Sequence, residues 1–395
     1  MKSAIYKALL IGGVFAPSVY GLSLYDTSPM IGVPESYAIR YRAYVNVGYD
    51  DNVHSSPNAE SGAFVKFGVG ASYADYESVS KLSYNVQLGA QIYDKGSHGT
   101  NDQMFSDASL NATYSRSLGA ASSYTLSMHV SYRPDPDYSH AFTGAYAHGD
   151  CLNWHIRNTY SEGIDERWSW NASVGFSGSM YTDSAYSYDD RYYATLSMGL
   201  AYVADERTTY GVNLSYRYDF RDEGANSENV YLNGYVRHTL SPVSSCYLAV
   251  GVQAKTMGGS TDMYPTLSAS YRRTLSEGLS VEAYTSYDNE NVNSYYKPTR
   301  ANYRSVATWR IGTRFNYAFT PTVSFQWGAS LVQTNYSKGT HGLASSDRTL
   351  WSAYVGMRYV FTESLVGNVQ YTYTSSDSSY SYDRNVISAG LEYNF

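Results

Sequence analysis

The chain has 395 residues, 35 acidic against 28 basic side chains, a formal charge of −7 and a mean hydropathy of −0.40. No apolar run long enough for a transmembrane helix follows the N-terminus, which excludes a helical membrane protein. Yet 45 Tyr, 12 Phe and 6 Trp accompany only 16% charged residues, a composition suited to strands that face lipid on one side and water on the other.

The first segment reads as a secretory signal over 1–21. Lys2 and Lys7 form its basic part, Ala8 to Ala16 its short apolar part and Val19-Tyr20-Gly21 a small-residue cleavage site. No cysteine stands near that site, which argues against a lipid anchor. A polar periplasmic linker over 22–37 is expected next, and a barrel over 38–395.

From Ala38 onward the chain alternates with period two in segments of about ten residues. Strands are predicted near 39–50, 63–76, 81–93, 105–116, 123–133, 153–161, 167–180, 190–203, 208–220, 229–240, 245–255, 265–275, 279–287, 305–319, 322–336, 348–361, 364–374 and 385–395. Short connections such as 78–80, 204–207, 241–244, 320–321 and 362–363 interleave with longer ones such as 134–152, 221–228, 288–304, 337–347 and 375–384. That rhythm describes an all-β, antiparallel up-and-down transmembrane barrel of about eighteen strands, with periplasmic turns and extracellular loops. The prolines agree, falling in the signal, linker, loops and turns, with Pro265 at the first residue of its strand.

Alternation assigns two faces. Val45, Val47, Leu88, Trp168, Leu214, Val250, Ile311, Val355 and Met357 point outward, and the sheet must close to satisfy its backbone in lipid. Tyr202, Tyr218, Tyr317, Tyr359 and Tyr373 at strand ends fit interfacial girdles. Inward bases are Arg40, Arg42, Lys66, Arg133, Arg157, Arg217, Arg237, Arg272, Arg310, Arg314 and Arg358, against the acids Asp50, Asp219, Glu282 and Glu392. Such a basic wall favours anions, mildly and with loss at high salt, and the preference is expected to weaken when Arg310 and Arg314 become alanine. Inward Tyr44, Tyr193, Tyr231, Tyr235, Tyr284 and Tyr354 offer flat faces for a sugar track, or simply fill space.

The chain ends Ile387-Ser388-Ala389-Gly390-Leu391-Glu392-Tyr393-Asn394-Phe395. This alternation closing on an aromatic resembles the terminal strand of bacterial outer-membrane proteins, which the barrel assembly machinery reads. Gly48-Tyr49-Asp50-Asp51-Asn52-Val53 resembles a motif of β-barrel porins of Gram-negative bacteria, as does the hairpin Tyr317-Ala318-Phe319-Thr320-Pro321-Thr322-Val323-Ser324. The resemblance covers the architecture over 38–395 and implies an outer-membrane channel or export role without naming a substrate.

Functional chemistry is otherwise sparse. No phosphate loop, zinc-protease helix, dinucleotide fingerprint or nucleophile elbow occurs, so no enzyme and no cofactor is expected. Loop 134–152 holds Asp135, Asp137, His140, His148 and Asp150, a weak candidate for a divalent cation, and is long enough to fold into the lumen. Expected partners are outer-membrane lipid and lipopolysaccharide, the assembly machinery, small hydrophilic solutes and a second copy in a homo-oligomer, with no nucleic acid. The reading is a porin-like channel for passive diffusion. A surface barrel binding glycans or host material through the tyrosine-rich stretches 186–193 and 371–382, or a polysaccharide exporter, remains open.

Overall fold

The structure, a computed structural model, describes residues 39–94 (apart from 54, 56 and 78), 107–133, 151–181, 190–221, 225–290, 295–296, 301–340, 344–378 and 381–395. The signal and linker segments, the five candidate metal ligands and most of loop 134–152 lie outside the described residues.

Eighteen long strands form one antiparallel sheet. They are β1 Arg40–Asp50, β2 Gly62–Tyr76, β3 Ser80–Tyr93, β4 Asp107–Ser117, β5 Ser122–Arg133, β6 Cys151–Gly163, β7 Trp168–Tyr181, β8 Arg191–Val203 and β9 Thr208–Arg221. The second half comprises β10 Ser227–Ser241, β11 Ser244–Met257, β12 Ser260–Ser276, β13 Leu279–Asn289, β14 Ala301–Ala318, β15 Val323–Gly339, β16 Ser346–Val360, β17 Leu365–Asp377 and β18 Tyr382–Asn394. Tyr295–Tyr296 adds a two-residue ladder onto the start of β14. Each strand pairs with its sequence neighbour, and β1 pairs with β18 from Arg42↔Asn394 to Asp50↔Val386, so the sheet closes. Strands about 4.8 Å apart and tilted by about 40° give eighteen of them a backbone radius of roughly 18 Å, enough for a water-filled interior.

One rim carries the tight turns, and four of them repeat two side-chain devices. In 164–167 and 204–207 an Asp-Glu-Arg triplet turns the chain. Asp165 Oδ1 accepts the Arg167 and Trp168 N–H groups, both at 2.7 Å, and Asp205 Oδ1 accepts that of Arg207 at 2.7 Å. In 319–322 and 361–364 a threonine does the same work: Thr320 Oγ1 accepts Val323 N–H at 2.9 Å and Thr362 Oγ1 accepts Leu365 N–H at 3.0 Å. These backbone bonds hold the Asp165 and Asp205 carboxyls below the usual carboxylate range. A depressed folded-state pKa adds stability that is present above the unfolded value and is lost as pH falls through the folded one. Acidification below the normal carboxylate range should therefore loosen these two turns before the threonine turns. Amide exchange at Arg167, Trp168 and Arg207 would read it, and equal protection of all four turns at low pH would contradict it.

The opposite rim departs from the predicted map at β11 and β12. The sequence places a nine-residue connection over 256–264, but both strands run on to a two-residue turn at Gly258 and Gly259, whose φ values are +60° and +78°. Positive φ at both central positions is the hairpin geometry that glycine supplies without strain. Pro265 consequently lies inside β12, opposite Val252, and not at its first residue. It is tolerated because β12 pairs with β13 only from Leu267↔Tyr287 downward, leaving the proline nitrogen with no ladder bond to make.

Cys151 opens β6 at the long-loop rim, whereas Cys246 is the third residue of β11 from the tight-turn rim, its Sγ 3.6 Å from the His238 carbonyl oxygen. Strands of 13 and 14 residues separate the rims by far more than the ~7 Å that a disulfide allows between Cα atoms. Non-reducing mass mapping is expected to find both thiols unbridged within the monomer, and a Cys151–Cys246 peptide would overturn the topology.

Candidate functional site

The outer face is apolar between two aromatic rings. Val45, Val47, Val65, Phe67, Leu196, Met198, Val212, Leu214 and Val250 are all more than 40% exposed. Along the tight-turn rim, ring pairs such as Trp168–Tyr202 (4.8 Å between centroids), Tyr359–Phe361 (4.7 Å) and Tyr393–Phe395 (4.9 Å) form one girdle. Tyr218–Phe220 (4.5 Å) and Trp351–Tyr373 (4.8 Å) belong to the other. An apolar surface this extensive is stable only against hydrocarbon, with the amphipathic rings at the headgroups. The chain is a transmembrane β-barrel of the outer-membrane type.

The inner face is polar, and its charges fall into three groups. The first seals the meeting of β1 and β18 at the long-loop rim. Asp50 is fully buried and takes Arg384 Nε at 3.1 and 3.0 Å and Nη2 at 2.5 Å, together with the Asn52 N–H at 3.0 Å. Asp51 accepts the backbone and side-chain N–H groups of Asn385, each at 2.6 Å, and Asn52 Nδ2 donates to the Asp383 carbonyl at 2.9 Å. The Asp50-Asp51-Asn52 motif is thus a fastening between the first and last strands.

A second group lines β9 to β14 nearer the long loops. Arg217 bonds Asp219 at 2.8 and 2.5 Å and lies 4.2 Å from the centre of the Tyr193 ring. Asn229 Nδ2 donates to Asp219 Oδ2 at 2.9 Å, and Gln253 Nε2 donates to Asn229 Oδ1 at 2.9 Å and to Tyr231 Oη at 3.1 Å. Gln253 also satisfies the Asn289 backbone, which lies beyond the β12–β13 ladder. Its amide donates to the Asn289 carbonyl at 2.8 Å and accepts the Asn289 N–H at 3.2 Å. Lys255 Nζ donates to Asn289 Oδ1 at 2.9 Å and to the Glu290 carbonyl at 2.8 Å. Arg310 pairs with Asp288 at 3.2 Å and with Glu290. Base and acid match closely here, so the group adds little net potential. Sequence reasoning missed Asn229, Gln253, Lys255, Asp288, Asn289 and Glu290 in this group; Gln253 and Lys255 continue the inward parity of β11, which was the available signal.

The third group lies toward the tight-turn rim, and there bases exceed acids. Glu282 is shared by Arg314 (2.8 Å) and by Arg272 (3.3 Å), whose side chain is 67% exposed. Arg314 Nε is buried without a hydrogen-bond acceptor. Arg237 lies 6.0 Å from the centre of the Tyr247 ring, and Arg42 approaches Glu392 at 3.9 Å. Arg40, Lys66, Arg157 and Arg358 share the inward parity of their strands, while the Arg133 side chain lies outside the described residues.

The six tyrosines separate. Tyr193 and Tyr231 are built into the second group. Tyr44, Tyr235, Tyr284 and Tyr354 each stand four to six residues from the tight-turn end of their strands. They stand around half of the wall at similar distances from that rim and do not line an axial path.

No protein-family model matches the chain, and no characterised protein is significantly similar to it in sequence. Among solved structures it is similar to the outer membrane protein OpdK of Pseudomonas aeruginosa, at 11% identity over 91% of this chain and 99% of that one, with a TM-score of 0.49. It is also similar to OccK8 (OprE) of the same organism, at 13% identity over 90% and 98% of the two chains and a TM-score of 0.45. The FrpB iron transporter of Neisseria meningitidis aligns at 12% identity over 87% of this chain and 62% of its own, with a TM-score of 0.45.

Proposed function

We propose that the protein is a passive, non-enzymatic channel of the outer membrane for small hydrophilic solutes, with a mild preference for anions. The observation that carries this reading is a closed eighteen-stranded barrel with an apolar outside and a charged, hydrogen-bonded inside. Such a wall has no energetic reason to be polar unless water meets it. The preference follows from the third group, where Arg42, Arg237, Arg272 and Arg314 outnumber the acids Glu282 and Glu392. Fixed positive charge in a low-dielectric tube raises the local anion concentration, an effect that salt screens over about 8 Å at physiological strength. Export through the signal over 1–21 and residence among outer-membrane lipids, with both barrel termini on the periplasmic side, belong to the same proposal. Liposome swelling tests it. Vesicles carrying the folded barrel should admit arabinose and glucose faster than empty vesicles, and unchanged swelling would reject the channel.

A further inference from the structure

We propose that Tyr44, Tyr235, Tyr284 and Tyr354, with the Arg272–Glu282–Arg314 cluster beneath Tyr284, form a half-collar that binds acidic oligosaccharides in transit. The inference rests on the channel reading. Its first support is the way the rings lie. Each tyrosine pairs across the ladder with a glycine: Tyr44↔Gly68, Tyr235↔Gly211, Tyr284↔Gly312 and Tyr354↔Gly328. A Cβ at Gly211 or at Gly312 would come within 2.3 Å of the ring, and one at Gly68 or Gly328 within 2.5 or 2.8 Å of the phenol. Only glycine lets the ring lie down on the neighbouring strand, with one face against the backbone and the other toward the lumen. All four tyrosines remain partly exposed. A flat aromatic face beside water is what the C–H face of a pyranose stacks on.

The second support is spacing. The tyrosines stand on β1, β10, β13 and β16, every third strand around half of the barrel, hence about 14 Å apart along the wall. A single ring covers one platform, and only a chain of rings reaches from one to the next.

Third, the half-buried Ser270 pairs with Tyr284 and sets a hydroxyl beside that platform. It suits a polyhydroxylated ligand and gives a bare aromatic acid nothing to match. Charge supplies the last element. Arg237, Arg272 and Arg314 lie four residues from the same rim, the row Arg272–Glu282–Arg314 lies on the rim side of Tyr284, and two guanidiniums share one glutamate. The exposed Arg272 leaves donors for a ligand carboxylate.

The test is block of single-channel current in planar bilayers by trigalacturonate, maltotriose and benzoate. Trigalacturonate should interrupt the current at about a tenfold lower concentration than maltotriose, and benzoate should not interrupt it. Tyr284→Leu with Tyr354→Leu should raise the half-blocking concentration about tenfold, while Tyr284→Phe with Tyr354→Phe leaves it unchanged. Arg272→Gln should bring trigalacturonate to the level of maltotriose. Equal block by maltotriose in the wild type would overturn the acidic specificity, and equal block by benzoate would overturn the saccharide. Steady conductance with no block by any probe would overturn the collar while leaving the channel standing. A barrel silent in potassium chloride would instead reject the channel, and trigalacturonate titrated calorimetrically into the detergent-solubilised barrel would then decide the site, with no heat of binding overturning it.

Discussion

Replacing Arg384 with methionine is expected to cost about 3–5 kcal/mol of barrel stability, because it leaves the Asp50 carboxylate buried without its cation. The loss should concentrate at closure. Hairpins along the wall join strands adjacent in sequence, whereas β1 and β18 meet across 334 residues. In detergent, the variant should lose its compact, heat-sensitive electrophoretic form at a lower denaturant concentration than the wild type. The double variant Asp50→Leu, Arg384→Met should recover much of the difference, since exchanging both charges for packed apolar groups removes the uncompensated carboxylate. A single variant as stable as the wild type would mean that the β1–β18 ladder alone holds the barrel shut.

Changing Arg272 and Arg314 together to glutamine should abolish the anion preference. Both arginines pair with Glu282, so removing them leaves that carboxylate to offset the remaining bases of the cluster where a positive surplus stood. The triple variant Arg272→Gln, Glu282→Gln, Arg314→Gln should regain a weak anion preference from Arg237, which separates charge from altered shape. Arg310 is a poorer probe than the sequence suggests. It answers Asp288 and Glu290, and Arg310→Ala leaves two acids uncompensated in a packed network, mixing selectivity with stability. If the double variant kept the wild-type reversal potential, the loops and not this cluster would set permeation.

The strands and their two faces were legible because period two is a local property. Val45 and Val47 alternate with Tyr44 and Asn46 whatever the rest of the chain does, and a register slip would bury the wrong set. The tight turns were legible for the same reason. The end of β11 and β12 was not, because Pro265 reads locally as a strand start, and only the length of β13 shows that its missing N–H is harmless there. The Gln253–Asn289 bonds cross a whole strand, a relation without sequence spacing. The Asp50 motif stood out as a motif, but its partner Arg384 depends on barrel closure. Likewise the inward parity of the tyrosines could be read, while their level could not, because level depends on how the strands stagger around the barrel.

The reversal potential of single channels across a potassium chloride gradient tests the account most directly. The purified, folded barrel in a planar bilayer should give stepwise ohmic openings whose reversal potential has the sign of chloride preference, shrinking toward zero as salt rises on both sides. Openings selective for potassium, or a membrane that stays silent with folded protein inserted, would contradict it.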